Sequence, residues 1–388
     1  MIRSLYLHIP FCERKCEYCD FVSVAGDRDS AAYMDALCSE VRLLGAAFAD
    51  SQLDTIFIGG GTPSLVDPCG IGRLLQTVHE VFVVAADAEI TMEANPSSTS
   101  RERAAQWRAA GVNRVSLGVQ SLHRATLRFL GRVHDAGRAL AAIDEVRSAG
   151  IANVSCDLIY AVPTLADDEW RRTLAGAVAA GPDHISCYEL TVEPGTPLHT
   201  SVRRGLTSPV DEDVALAQHR IAVETLSDAG YSQYEVSNFA RPGHRCRHNL
   251  AYWHNELYLA AGVGAHGHVA AEDASRVGVA APAGAVAVRY WHGRGIGFYI
   301  DSLRRGELPI AGWEGVDAPG HESERLLVGL RLTDGIRVGD SPAATDLARA
   351  GLVERHGGLL RVTTAGENVL NSVVERLTAD AAQEACYA

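Results

Sequence analysis

Three closely spaced cysteines near the start of the chain constrain its fold and chemistry more than any other feature. Cys12, Cys16 and Cys19 form a C-x3-C-x2-C pattern, which places three of the nine cysteines within eight positions. A [4Fe–4S] cluster ordinarily takes four thiolates, so three leave one iron open to another ligand. A structural zinc site, which normally uses two cysteine pairs, and three unrelated core thiols are the alternatives; no second pair follows here.

The open iron predicts a small ligand that carries an amino and a carboxylate group. S-adenosylmethionine (SAM) is the ligand that this cysteine spacing usually serves. The run Gly59-Gly60-Gly61-Thr62-Pro63 lies about 40 residues after the cysteines. Glycines let the backbone approach a ligand that any Cβ would exclude, and the exposed edge would suit the methionine amino group. A plain tight turn is the alternative.

Composition and charge exclude several classes of protein. A length of 388 residues predicts two or three domains, and a net charge of −13 without a Lys/Arg stripe argues against nucleic-acid binding. No apolar run approaches the roughly 18 to 20 residues of a membrane span. The N-terminus enters the cysteine motif directly, without a signal or transit peptide, and the cysteines form no disulfide framework. We therefore expect a cytoplasmic protein.

Six short β-branched segments alternate with helical patterns from residue 5 to about residue 190, which predicts an α/β fold with a parallel sheet. Six units are fewer than the eight of a closed TIM barrel, so we expect an open (β/α)6 partial barrel. The predicted strands are Leu5–Ile9, Thr55–Ile58, Glu89–Glu93, Val115–Val119, Val154–Ile159 and His184–Leu190. The predicted helices lie near 30–48, 69–83, 99–110, 136–149 and 166–180.

The rest of the chain predicts smaller units. We divide the sequence at 1–205, 206–305 and 306–388. The segment Pro197–Val210 is predicted to be a linker, 211–229 a helix and 270–288 a loop of small residues. Helices near 321–332, 342–350 and 363–377 and a hairpin at Gly357-Gly358 predict a C-terminal α+β unit that resembles a winged helix. It lacks a basic stripe, so we interpret it as a packing or interaction module.

Four polar residues lie on or beside strands that otherwise look buried: Glu93, Gln120, Arg132 and Asp157. Buried polar groups need partners. The carboxylates can accept from ribose hydroxyls or an ammonium group, and Arg132 can hold a carboxylate through two hydrogen bonds. Internal salt bridges, such as one between Arg132 and Asp157, are the alternative.

Histidines near residue 250 are candidates for a second metal or a haem. His248 is followed closely by Tyr252 and Trp253, which would suit the faces of a planar macrocycle, and His266 lies further along the chain. Because a lone histidine is more often a hydrogen-bonded residue than a ligand, this remains one of two interpretations. Whether His266 contacts haem is open at this point.

Taken together, these motifs resemble the HemN/HemW branch of the radical SAM superfamily over nearly the whole chain. The matching runs include Tyr6-Leu7-His8-Ile9-Pro10-Phe11-Cys12, Glu93-Ala94-Asn95-Pro96, Leu117-Gly118-Val119-Gln120-Ser121 and His248-Asn249-Leu250-Ala251-Tyr252-Trp253. The last run looks like the H-N-x-x-Y-W signature of the haem-binding members. The resemblance implies a radical SAM partial barrel in 1–205, a haem-binding connecting region in 206–305 and a HemN-type domain in 306–388.

The resemblance also implies cofactors and roles for individual residues. It implies that Cys12, Cys16 and Cys19 hold the [4Fe–4S] cluster and that His248 is the haem ligand. It implies a SAM site lined by Tyr6, Tyr18, Gly60, Gly61, Thr62, Glu93, Gln120, Arg132 and Asp157.

Two functions follow from the resemblance. The first is a haem chaperone that delivers haem to acceptor proteins such as respiratory haem enzymes, with a homodimer and contact with a membrane surface as further expectations. The second is an oxygen-independent coproporphyrinogen III dehydrogenase or a related tetrapyrrole-modifying enzyme, in which the cluster cleaves SAM to a radical. The dehydrogenases carry a further cysteine shortly after the third cluster ligand, whereas Asp20 and Phe21 follow it here. This departure favours the chaperone.

Overall fold

A computed structural model describes residues 1–26, 30–339 and 341–387, with side chains described to residue 379. The strands are Ser4–Ile9 (β1), Phe11–Cys12 (β2), Val24–Ala25 (β3), Gln52–Gly60 (β4), Val83–Ala94 (β5), Arg114–Gln120 (β6), Asn153–Tyr160 (β7), His184–Glu189 (β8), Ser232–Glu235 (β9), Asn238–Ala240 (β10), Tyr258–Ala261 (β11), His266–Ala270 (β12), Ala285–His292 (β13), Ile310–Asp317 (β14), Ile336–Arg337 (β15), Val353–His356 (β16) and Leu359–Val362 (β17). The α-helices are Ser30–Ala47 (α1), Pro68–Val81 (α2), Arg101–Ala109 (α3), Arg124–Phe129 (α4), Ala136–Ser148 (α5), Asp167–Ala180 (α6), Pro197–Arg203 (α7), Glu212–Asp228 (α8), Arg247–Trp253 (α9), Ile296–Arg304 (α10), Ala318–Gly329 (α11), Pro342–Arg349 (α12), Thr364–Glu367 (α13) and Leu370–Tyr387 (α14).

The predicted six-stranded parallel barrel is confirmed. Strands β1, β4, β5, β6, β7 and β8 are neighbours in that order, and every adjacent pair is parallel. Helices connect successive strands, and apolar strand residues such as Leu5, Leu7 and Ile56 are fully buried in the core. The α/β fold class therefore follows from alternating strands and crossover helices, as the sequence pattern predicts.

The sheet continues beyond the six parallel strands at both edges. Strand β11 pairs parallel with β1, and β12, β13 and β14 follow in antiparallel order. At the other edge, β10 and β9 continue from β8, also antiparallel. The result is an open sheet of twelve strands.

Two local predictions were wrong. The predicted linker Pro197–Val210 begins with helix α7, because Pro197 suits the first helical turn and the Thr196 hydroxyl accepts a hydrogen bond from the His199 N–H at 3.1 Å. The predicted loop at 270–288 contains a 3-10 helix, Ala271–Val277, and the first half of β13. Strand β13 is rich in small residues and is ordered by pairing with β12 and β14.

Polar residues occupy every second position on several of the parallel strands and point away from the surrounding helices into the barrel. This alternation follows from the two-residue period of a strand. The residues concerned are Ser4, Tyr6 and His8 on β1, Glu89, Thr91 and Glu93 on β5, Arg114 and Ser116 on β6, and Ser155 and Asp157 on β7.

Helix α9 closes the amino-terminal end of the barrel. The Glu89 carboxylate on β5 accepts hydrogen bonds from the backbone N–H groups of Arg247 at 3.0 Å and His248 at 3.1 Å. A carboxylate at the start of a helix satisfies N–H groups that have no partner within the helix. The buried Arg114 guanidinium lies near Glu89. Burial alone would lower its pKa, but the negative charges of Cys246 and Glu89 outweigh burial, and the pKa of Arg114 is raised.

The C-terminal region has a core of its own. Leu326, Leu347, Val353, Leu360 and Val373 are among the buried side chains that join α11, α12 and α14 to a three-stranded sheet of β15, β17 and β16. The hairpin and the first two predicted helices are present at nearly the predicted positions, whereas the one helix predicted at 363–377 is divided into α13 and the longer α14. The division at residue 305 stays a prediction, and β14, which follows it, belongs to the large sheet. Among the described residues, no helix has the length and apolar character needed to span a membrane.

Candidate functional site

The three cysteines lie at the carboxyl end of the barrel, on a loop whose base is closed by backbone hydrogen bonds. Cys12 ends β2, which pairs with β3, and the Gly26 N–H donates to the Cys12 carbonyl at 2.8 Å. Within the loop, the Cys19 N–H donates to the Cys16 carbonyl at 3.3 Å. All three are free thiols. The loop therefore presents its cysteines from a closed turn of backbone.

Two side chains from other parts of the barrel reach the thiols. The Thr62 hydroxyl donates to Cys12 Sγ at 3.6 Å, and Arg132 Nη1 donates to Cys16 Sγ at 3.3 Å. Burial raises the pKa of Cys12 and Cys19, and in Cys12 the Thr62 hydroxyl opposes that increase. The Thr62 contact therefore favours the thiolate form of Cys12, which is the form that an iron atom binds.

A cavity of about 600 Å³ adjoins the thiols and brings together most of the predicted SAM residues. Its walls come from the carboxyl ends of the parallel strands, where open α/β sheets bind their ligands. Tyr18, Gly60, Gly61, Thr62, Glu93, Gln120, Arg132 and Asp157 line it together with Cys12, Cys16 and Cys19. Tyr6 does not line this cavity and lies at a second pocket.

Backbone geometry explains the glycines and Gln120. A Cβ on Gly61 would lie 2.8 Å from the Phe11 carbonyl oxygen, so only glycine fits beside the cysteine strand. Gly60 has a φ of 113°, and its N–H donates to the Glu93 carboxylate at 3.0 Å. Gln120 has a φ of 64° at an irregularity in the pairing of β6 with β7. Such a conformation is uncommon for a residue with a side chain and occurs often at ligand sites.

Two partly buried carboxyl groups give the cavity its electrostatic character. Burial raises the pKa of Glu93 to about 8, the Asp157 charge adds to this shift, and the Gly60 N–H opposes it. Burial also raises the pKa of Asp157, against the hydroxyls of Ser186 and Ser116, which donate to it at 2.8 Å and 3.0 Å. A ligand that carries positive charge or hydroxyl groups would favour the ionised forms.

Among the described residues, Arg132 does not form the salt bridge with Asp157 that was the alternative interpretation. Besides Cys16, its guanidinium donates to the Gly118 carbonyl at 2.7 Å and to Asn95 Oδ1 at 3.1 Å. In the described part of the chain it forms no ion pair with Asp157, and its Nε is buried without a hydrogen-bond partner. The guanidinium thus has one N–H without a partner, and a ligand carboxylate would suit it.

These residues fit a [4Fe–4S] cluster with SAM. Three thiols, two partly buried carboxyl groups and an arginine surround one cavity, and Gly61 leaves no room for a side chain on the cysteine side. Among the described residues, no three side chains of Cys, His, Asp or Glu are grouped tightly enough to hold a single metal ion. A four-iron cluster binds its thiolates through different iron atoms and does not require that grouping.

His248 lies away from the cavity, inside the amino-terminal half of the barrel. It is 1% exposed, its Nδ1 is 2.8 Å from Thr55 Oγ1, and its Nε2 is 2.9 Å from the Tyr252 hydroxyl. The Phe57 ring stacks on it at 5.2 Å. Burial lowers the pKa of His248 to about 3, so the ring is neutral. In this conformation both ring nitrogens are occupied, and its role as a haem ligand stays a prediction.

A second pocket, of about 300 Å³, lies beside the first, and both are bordered by Asp20 and Phe21. Its wall contains Tyr6, Tyr252 and His266, among others. The Tyr6 hydroxyl is 3.0 Å from His8 Nδ1, and Tyr252 is the residue that contacts His248. The pocket thus connects the H-N-x-x-Y-W run to the cysteine loop.

Several residues of the site were not predicted. Asn95, Ser116 and Ser186 hold Arg132 and Asp157, and Tyr188 to Thr191 form part of the cavity wall at the end of β8 and just beyond it. The signal for the interior residues was present as polar side chains at alternate strand positions. The wall beyond β8 has no such pattern, because it depends on where the chain leaves the sheet.

Comparisons with known proteins agree with this geometry. Residues 6–175 match the radical SAM superfamily. The chain is 39% identical to the heme chaperone HemW of Mycobacterium tuberculosis (strain ATCC 25618 / H37Rv) over 383 residues, which cover 96% of this chain and 94% of that protein. It is 40% identical to the heme chaperone HemW of Escherichia coli (strain K12) over 274 residues, covering 70% and 71% of the two chains.

A solved structure has the same fold. The chain is similar to coproporphyrinogen III oxidase (HemN) from Escherichia coli, with a TM-score of 0.80 over 97% of this chain and 90% of that one. The two sequences are 21% identical, so the likeness concerns the fold alone.

Proposed function

Because this chain belongs to the HemW family of the radical SAM superfamily, we propose that it is a cytoplasmic haem chaperone, which binds haem and transfers it to acceptor proteins. The observation that carries the proposal is the 39% identity with a curated heme chaperone across nearly the whole of both chains. Matches of this length include the barrel, the connecting region and the C-terminal unit.

In this proposal the residues that line the cavity bind the cluster and SAM. Cys12, Cys16 and Cys19 would hold a [4Fe–4S] cluster and would leave one iron open to SAM. When reduced, such a cluster can supply an electron to the sulfonium group. Arg132 would hold a carboxylate beside Cys16, and Glu93 would accept hydrogen bonds from the cationic or hydroxyl-bearing part of the ligand.

The proposed partners are haem and haem-accepting proteins, such as respiratory haem enzymes. Acceptors of that kind would bring the protein to a membrane surface without a spanning helix. We include a homodimer in the proposal, with the cluster and its exchangeable SAM as a regulator of haem transfer or of dimerisation.

Haem binding and transfer test the proposal directly. Protein with an anaerobically reconstituted cluster is titrated with haem while the Soret band is followed, and is then mixed with an apoprotein that takes up haem. We expect stoichiometric binding and transfer to the acceptor. Failure to bind haem, or binding without any transfer, would contradict the chaperone function.

His248→Ala and Tyr252→Phe are tested in the same titration. The resemblance predicts weaker haem binding in His248→Ala. Because His248 contacts Tyr252 at 2.9 Å, Tyr252→Phe reports how much of that loss comes from the shared hydrogen bond. Equal haem binding in wild type and His248→Ala would contradict the role of the H-N-x-x-Y-W run.

A second candidate function is favoured by the cavity itself. Its volume of about 600 Å³ next to the thiols leaves space for SAM and for part of a substrate. A coproporphyrinogen III dehydrogenase would use that space. The assay is release of 5′-deoxyadenosine and decarboxylation of coproporphyrinogen III by the reduced protein, and turnover without haem retention would establish the enzyme in place of the chaperone.

A further inference from the structure

The second pocket has the chemical character of a haem site. Tyr6, Tyr252 and Tyr258 supply aromatic surface, and the Tyr252 and Tyr258 rings meet edge to face at 4.8 Å. Phe21, at the mouth shared with the cluster cavity, is 64% exposed. A large apolar ring left in solvent beside a pocket suits a flat apolar ligand that would cover it.

One imidazole at this pocket is free to bind a metal. Both ring nitrogens of His8 are occupied, by the Tyr6 hydroxyl at 3.0 Å and the Val22 carbonyl at 2.8 Å, and those of His248 are occupied as described above. His266 is exposed, and among the described residues neither of its nitrogens has a hydrogen-bond partner. The Trp291 ring stacks on it at 6.0 Å and 25°, which orients the imidazole.

The loop 262–265, which leads into His266 at the start of β12, is held rigidly from the core. The Gly262 N–H donates to the Glu40 carboxylate at 2.9 Å, and the Val263 N–H donates to the Tyr33 hydroxyl at 3.0 Å. His292 bonds to the Ala265 carbonyl at 3.1 Å and to Glu40 at 2.6 Å. Buried polar networks of this kind fix one backbone conformation, so His266 is presented from a rigid support.

The pocket also carries a cation. Arg294 lines it, is exposed, and forms no ion pair among the described residues. Haem combines an iron atom that binds neutral imidazole, a flat apolar ring and two carboxylates at one edge. His266, the tyrosines and Arg294 correspond to these three requirements in turn.

We propose that haem binds at the second pocket with His266 as its iron ligand and Arg294 as the partner of a haem carboxylate. This inference rests on the proposed haem-binding function and assigns it a site. His248 then acts as a positioning residue, which holds the Tyr252 hydroxyl from inside the barrel. The iron ligand differs from the one implied by the family resemblance.

The size of the pocket agrees with a chaperone. A volume of about 300 Å³ is at the low end for ligand pockets, so a porphyrin would be only partly enclosed. One edge of haem would rest between the tyrosines while the remainder stayed accessible. An acceptor protein could then contact the haem before it leaves His266.

The test compares haem titrations of wild type, His266→Gly and His356→Ala, the last being an exposed histidine on the C-terminal hairpin. We expect His266→Gly to weaken haem binding about 10- to 100-fold. Loss of a residue that only supports a metal ligand weakens binding by this much, and loss of the ligand itself should weaken it at least as much. The Soret band and the electron paramagnetic resonance spectrum of ferric haem should change as well. His356→Ala should match wild type.

Free imidazole separates ligation from folding. Imidazole added to His266→Gly should restore the wild-type spectrum, because it can occupy the space left by the side chain, whereas a misfolded protein would not be restored. Arg294→Gln should weaken binding of haem about two- to fivefold and leave binding of haem dimethyl ester unchanged.

The outcomes also separate this proposal from the proposed function. Wild type that binds no haem would overturn both. Wild type that binds haem, with His266→Gly unchanged in affinity and spectrum, would overturn the His266 assignment alone. Failure of imidazole to restore a weakened His266→Gly variant would overturn direct ligation.

Discussion

Glu93 should make SAM binding depend on pH in a way that a single substitution removes. The side chain faces the cluster cavity and accepts from the Gly60 N–H at 3.0 Å, and burial raises its pKa to about 8. If Glu93 binds SAM as a carboxylate, it must first lose a proton at pH values below 8. The affinity for SAM should therefore fall as the pH falls. Glu93→Gln cannot lose a proton and should not contribute this dependence.

The magnitude follows from the pKa. With a value of about 8, the ionised fraction of Glu93 is about one quarter at about pH 7.5 and about one hundredth at about pH 6.0. The dissociation constant of SAM should thus rise about 25-fold over this interval, which corresponds to about 2 kcal/mol.

Equilibrium binding of SAM to the reconstituted protein, measured at several pH values, provides the assay. Titration of the ligand's own amino group affects wild type and Glu93→Gln equally, so the ratio of their dissociation constants isolates Glu93. A ratio that stays constant from about pH 6.0 to about pH 7.5 would refute the reasoning, because Glu93 would then bind SAM in the same protonation state throughout.

Three other predictions concern the cysteine loop and the buried contacts of Glu40. Gly61→Ala should reduce iron incorporation, because its Cβ would lie 2.8 Å from the backbone of the cysteine strand, whereas Gly297→Ala, which meets no atom within 4 Å, should not; iron analysis of the two variants checks this. Cys16→Ser should abolish the [4Fe–4S] signal in Mössbauer spectra, and substitution of the exposed Cys69 by Ser should leave it intact. Glu40→Ala should lower the free energy of unfolding by about 3–5 kcal/mol, because it leaves the buried His292 ring, the Gly262 N–H and the Tyr299 hydroxyl without their acceptor; denaturant unfolding with a change below about 1 kcal/mol would contradict this.

The barrel was predictable because its signal is local. The predicted strand Val154–Ile159 corresponds to Asn153–Tyr160, and the helix predicted at 136–149 corresponds to Ala136–Ser148. Apolar runs bounded by glycine and followed by amphipathic segments specify a strand and a crossover helix without information from distant residues.

The antiparallel extension was not predictable from local pattern. Strand β13 contains alanine and valine in the run Ala285-Val286-Ala287-Val288, which follows a segment rich in small residues. Its order comes from pairing with β12 and β14. The sequences of these two strands do not by themselves indicate that they pair with β13. Strand propensity depends strongly on such surroundings.

The position of His248 shows the same limit at the candidate site. The motif that contains it could be found in the sequence, but its contact with Thr55 spans 193 residues. The sequence does not show whether both nitrogens of a histidine are hydrogen-bonded or whether one is open to a metal. Sequence reasoning could therefore identify both His248 and His266 and could not distinguish their surroundings.

The closure of the barrel by α9 has a consequence for how the chain folds. The six parallel strands are complete at Glu189, yet the Glu89 carboxylate receives its hydrogen bonds from residues 246 to 248, and the Thr55 hydroxyl meets His248 only when that part of the chain is present. A nascent chain that has just left the ribosome with its sixth strand therefore has charged and hydroxyl groups facing an open interior. Contacts so distant in sequence form late and slowly. A fragment that ends at residue 205 should consequently expose more apolar surface and aggregate more readily than the whole chain.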